Sequence, residues 1–255
     1  MSLVRQIAVI IATIATIVVN GLANALPING KGTGEISDTF DVFFVPAGYV
    51  FSIWGVIYLL LIAFTIFQAL PAQRNDPVLN TVGWVYVLSC IANIVWIFLW
   101  HYERFPLTLV AMLTLLACLI SSYLLLGVGR TEISAGYRWL VHLPFSVYLG
   151  WITVATVANV TDVLDYAGWG GWGISPEVWA VIMLVVATAL TAAMLFTRRD
   201  AAYALVIIWA FVGIAIKQAE SRPVSLAAWV LTALIGILLL AMLLIGRSTP
   251  QTAAA

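Results

Sequence analysis

The sequence predicts an all-α protein, a polytopic transmembrane helix bundle of about eight spans. Three observations lead there. Of the 255 residues, 64% are hydrophobic and only 9% charged, a balance outside that of water-soluble domains. Apolar stretches of about 20 residues, the length that crosses a hydrocarbon layer, recur along the whole chain. None alternates as a barrel strand does, and lipid offers no partner for a free backbone N–H or C=O, so each stretch pairs its own backbone as a helix.

The first stretch, residues 5–26, also fits a signal peptide, with Arg5 ahead of an apolar run and "ANA" at Ala23 to Ala25 as a cleavage site. The uninterrupted run from Ile7 to Leu26 exceeds an ordinary signal core, which favours a retained helix. The loop that follows, "PINGKGTGEISDTFDVFF", is long, Gly-rich and acidic through Glu35, Asp38 and Asp41; a solvated connector is its commoner fate, a lid over a site the alternative. The second to fifth spans are placed at residues 46–70, 80–100, 106–128 and 138–160. Before the sixth, residues 176–197, the loop "DVLDYAGWGGWGISPEVW" sets Trp169, Trp172 and Trp179 where an aromatic belt belongs. Pro176 suits the first turn of that helix, with Ser175 as its cap. Residues 201–218 and 224–246 complete the set, and the tail at 247–255 reads as disordered. Lys217, at a helix end, reads as a side chain reaching for headgroups, and Glu220 with Arg222 as a solvated rim pair.

Arg5, Arg74, Arg130, Arg138, Arg198, Arg199 and Arg247 fall on one side of the membrane, Lys31, Arg104, Lys217 and Arg222 on the other. Basic residues are retained on the cytoplasmic side, so both termini are expected there. Eleven basic residues balance eleven acidic ones, so no nucleic-acid partner is indicated. Cys90 and Cys118 lie inside apolar runs and read as small hydrophobes. No metal-spaced cluster, Ser-His-Asp set or phosphate-cradling Gly loop points to catalysis. No acid or base sits near a mid-membrane position, which speaks against ion-coupled pumping.

Three spans carry an aromatic and amide pattern. On the second, Phe51, Trp54 and Tyr58 share one face, with Tyr49 at the same depth. The third presents Tyr86, Ser89, Asn93, Trp96 and Trp100 as one stripe, the fifth Tyr148, Trp151, Ala155 and Asn159, with Asp162 just beyond its end. An amide in hydrocarbon needs a partner, so Asn93 and Asn159 should face the bundle interior. Rings and amides converging at one depth suit a planar, largely apolar ligand with a few polar substituents. Plain helix packing accounts for any one of these stripes taken alone.

"PAGYVFSIWGVIY" resembles the second-helix signature of the TspO/MBR family, the tryptophan-rich sensory proteins related to the translocator protein. "ANIVWIFLW" is similar to its third-helix Asn-Trp pattern, and "LPFSVYLGWITVATVAN" to its fifth-helix pattern. The resemblance covers residues 1–165 and implies a five-helix bundle whose pocket is closed by the first loop, taking porphyrins, sterol-like molecules or synthetic aromatics, often as a homodimer in the bacterial inner membrane. It implies that Pro46, Trp54, Tyr58, Asn93, Trp96, Trp151 and Asn159 line or shape that pocket. Residues 166–246 then form three added spans, able to dock another membrane subunit or to replace the dimer contact. No cofactor is required. A bound porphyrin or other tetrapyrrole would lack double-His ligation, because His101 and His142 fall at opposite membrane faces. The expected function is a membrane receptor or carrier; a structural or accessory subunit of a larger membrane complex and a facilitated transporter of a small solute are the alternatives.

Overall fold

The structure is a computed structural model that describes residues 2–26 and 28–247. It is helical: α1 Ser2–Ala25, α2 Thr33–Ser37, α3 Ile53–Ala69, α4 Pro77–His101, α5 Phe105–Leu125, α6 Ala135–Tyr137, α7 Leu143–Tyr166, α8 Pro176–Arg198, α9 Ala201–Lys217 and α10 Arg222–Arg247. Seven helical segments among the described residues are long and apolar enough to cross a membrane, and α9 is a shorter apolar eighth. The expected disordered tail lies outside the described residues, except for Arg247 at the end of α10.

Local chemistry sets the helix ends. Asp76 accepts the N–H groups of Val78 and Leu79 ahead of α4, and the Ser175 hydroxyl accepts that of Val178 with Pro176 in the first turn of α8. Such caps satisfy donors that have no partner inside the helix. Between α6 and α7 the chain makes a π turn, Arg138–His142, in which the Leu143 N–H reaches back to Arg138. The next residue, Pro144, has no N–H to give, so the wider turn forms where the regular ladder is already interrupted. The fifth span accordingly runs from Ala135 to Tyr166. It is longer than the predicted 138–160 and carries Asp162 inside the helix, buried, rather than beyond its end.

Helix α1 packs on α3 and α4, α4 on α5, α5 on α7, and α3 closes back onto α7. Outside this five-span ring, α9 lies along α7 and is itself covered by α8 and α10. Ala204, Ile207, Ala210, Phe211 and Ile214 of α9 are fully buried, so its 17 residues, about 26 Å of helix, need not reach across the whole hydrocarbon layer. One apolar core runs from Val9 through both groups of helices to Leu239. Gly150 permits the close approach of α7 and α9, since a Cβ there would sit 3.1 Å from the Val206 Cβ.

The loop after α1 folds inward, the less common of the two fates its composition allows. Helix α2 buries Ile36, and Phe40 meets the Phe105 ring edge-on at 4.9 Å and tilts over Trp100. Asn29 donates to the His101 carbonyl, and Lys31 pairs with Glu103. His101, expected near the outer surface, is fully buried. Its Nδ1 donates to the Ile97 carbonyl, and its Nε2 lies 3.2 Å from the Thr33 hydroxyl of the lid.

Candidate functional site

Beneath this lid lies a cavity of about 430 Å3, within the size range of small-molecule sites. Its walls come from four of the five ring spans and from the second span's first turn. Phe51 and Trp54 face it from the second span, Asn93, Trp96 and Ile97 from α4, Met112 and Leu115 from α5, and Trp151, Ile152 and Ala155 from α7. Asn20 and Asn24 enter from α1, and Thr33, Gly34, Ser37 and Asp38 form the roof. Pro46 and Gly48 edge it, and Lys217 reaches it from the end of α9.

Among the residues predicted from sequence, Pro46, Phe51, Trp54, Asn93, Trp96 and Trp151 thus meet at one cavity. Tyr58, Trp100, Tyr148 and Asn159 stand behind its walls. Tyr58 stacks on Trp54 at 5.5 Å, and Tyr148 meets the same indole edge-on at 5.9 Å. Trp100 stacks on Trp96 at 5.2 Å and donates to the Thr33 carbonyl of the lid. Tyr49 is elsewhere: 46% exposed and packed edge-on against Trp209 of α9. The cause is the 3-10 turn Gly48–Ser52 that precedes α3. Val50 is buried there, and its carbonyl accepts the Trp209 indole N–H, so the turn presents Phe51 to the cavity and Tyr49 to α9.

The amides do a different job from the one their position suggests. Asn93 and Asn159 are each 2% exposed. Asn93 accepts from Asn20 Nδ2 at 2.7 Å and donates to the Tyr148 hydroxyl at 3.1 Å. Asn159 accepts from Trp96 Nε1 at 3.2 Å and donates to the Thr108 hydroxyl at 2.9 Å. Each amide spends its strongest directions joining three helices, which holds Trp96 and Tyr148 in fixed orientations. The rings, by contrast, line the cavity: Trp54, Phe51 and Trp151 form an edge-to-face group, with Trp151 5.7 Å from Phe51 and 6.2 Å from Trp54.

The sequence reading missed Asn20, Asn24, the lid residues and Lys217. A signal for the first was present, since Thr13, Thr16, Asn20 and Asn24 follow one another at three- and four-residue steps on α1. Among the described residues no group of three His, Cys or acidic side chains converges as a metal site would.

The mouth of the cavity is held by α9. The Ala47 N–H donates to the Gly213 carbonyl at 3.1 Å, Gln218 donates to the Val42 carbonyl, and Lys217 pairs with Asp38 at 2.8 Å. A Cβ on Gly213 would fall 2.2 Å from Val50 Cγ2 and 3.1 Å from the Pro46 Cβ.

No curated protein and no solved structure matches the chain. The sequence profile of a family described as TSPO-like protein matches residues 6–243, through the last three spans as well as the five that carry the sequence resemblance. With apolar helices long enough to span a bilayer, this is an integral membrane protein, and the chain belongs to the TSPO-like protein family.

Proposed function

We propose that the protein is a membrane receptor or carrier that takes a planar hydrophobic ligand, tetrapyrrole- or sterol-like, into the lidded cavity between the second, third and fifth spans. Family membership supports a membrane ligand-binding or transport role in general. The specific reading rests on one observation: Trp54, Trp96 and Trp151, from three different helices, face a single cavity roofed by α2. Flat indole faces favour a flat partner, and the surrounding Ile97, Met112, Leu115 and Ile152 favour an apolar one. The basic-residue asymmetry supports both termini in the cytoplasm, and a bacterial inner membrane is the setting that the family resemblance suggests.

The test is quenching of tryptophan fluorescence by a porphyrin in detergent. Saturable quenching by the wild type, weakened in Trp54→Ala and Trp96→Ala with helicity retained, is the expected result. Equal quenching in wild type and both variants would overturn the reading.

A further inference from the structure

The side chains that line the cavity include two charges, Asp38 of the lid and Lys217 of α9, paired with each other at 2.8 Å. The two partners are not equivalent. The Asp38 side chain is 70% exposed and sits on a short lid helix's trailing end, whereas the Lys217 side chain is 29% exposed. Lys217 also closes a helix whose Ile214 is fully buried and whose Gly213 carries the mouth segment. The carboxylate can turn out to water with little loss; the ammonium is anchored at the cavity.

The remaining polar chemistry of the wall points the same way. Asn20 spends both N–H groups on the Thr16 carbonyl and Asn93, and Asn93 accepts from Asn20 and donates to Tyr148. The Trp151 indole N–H, on a residue that lines the cavity, is buried with no hydrogen-bond partner. An ammonium has three N–H donors, and Asp38 takes one of them. Two unspent groups of the wall, the Trp151 indole N–H and the remaining N–H groups of the Lys217 ammonium, are therefore donors, and a buried donor without an acceptor is costly.

Building on the receptor reading, we propose that Lys217 makes the cavity selective for ligands bearing a carboxylate, which replaces Asp38 on the ammonium while the apolar rings pack against the indoles. The exchange trades a water-exposed ion pair for one shielded by the ligand's own body, where the attraction is stronger. A neutral ligand of the same shape leaves the Lys217–Asp38 pair in place and gains only the packing.

A dicarboxylic porphyrin and its dimethyl ester, titrated by tryptophan quenching at low salt into the full-length protein, separate the two contributions. Lys217→Gln should lower affinity for the acid about five- to ten-fold more than affinity for the ester, Lys217→Arg should retain the acid's affinity, and Asp38→Asn should raise it. Loss of acid and ester affinity in equal measure in Lys217→Gln, or no change in either, overturns the selectivity; the receptor reading then still stands if Trp54→Ala weakens both probes. Failure of wild type to bind either probe overturns both.

Discussion

Trp54 lines the cavity and is itself braced by Tyr58 and Tyr148. Its truncation therefore removes ligand contact without opening the helix bundle. Aromatic stacking contributes about 0.5–1.5 kcal/mol beyond area, so Trp54→Ala should weaken porphyrin binding by roughly three- to ten-fold, measured by quenching with circular dichroism as control. Asn159 behaves differently. Its loss strands the Trp96 indole N–H, at about 1–3 kcal/mol for an unsatisfied buried group, whereas the Thr108 hydroxyl keeps its bond to the Phe105 carbonyl. Asn159→Ala should lower the Tm in detergent clearly, and Asn24→Ala, whose amide only bonds back to its own helix, should barely move it. Periodicity alone identifies these amides as inward-facing, but it cannot say whether they face a ligand or another side chain. That depends on which residue of which neighbour stands opposite.

At the scale of elements, eight apolar runs are legible from hydropathy because each must hydrogen-bond its own backbone in lipid. The lid is not legible in that way. Helix α2 has five residues and no amphipathic repeat of its own, and it is held by Ile36, Phe40 and Asn29 against α4 and α5, which only the assembled bundle provides. The seat of the mouth segment on α9 was equally hidden, because it rests on Gly213 having no side chain. Gly213→Ala forces Val50 or Pro46 to move, an overpacking that costs about 1–3 kcal/mol. The expected outcome is faster amide exchange across residues 46–52, with exchange in α4 unchanged.

For the molecule as a whole, the division into a five-span unit and three added spans follows the resemblance along the sequence, whereas the apolar core passes through both. Four contacts from α9, through Trp209, Gly213, Lys217 and Gln218, hold the lid and the second span's first turn. A chain ending at residue 199 keeps the rings of α3, α4 and α7 but loses that support. It should bind the porphyrin at least ten-fold more weakly than the full chain, and at a fixed ligand concentration its ligand-dependent rise in Tm should shrink accordingly. A truncated chain with full affinity would mean that α9 is dispensable for the site.

The bond from Trp209 to Val50 joins residues 159 positions apart. During synthesis, then, the doorway is laid down long before the post it hangs on. A ribosome that has released only the first five spans has made the indoles but not the post that steadies their doorway, and membrane-inserted nascent chains should bind a porphyrin more weakly until the seventh span has been threaded into the bilayer. Tight binding of the proposed ligand is thereby expected only once α9 is in place.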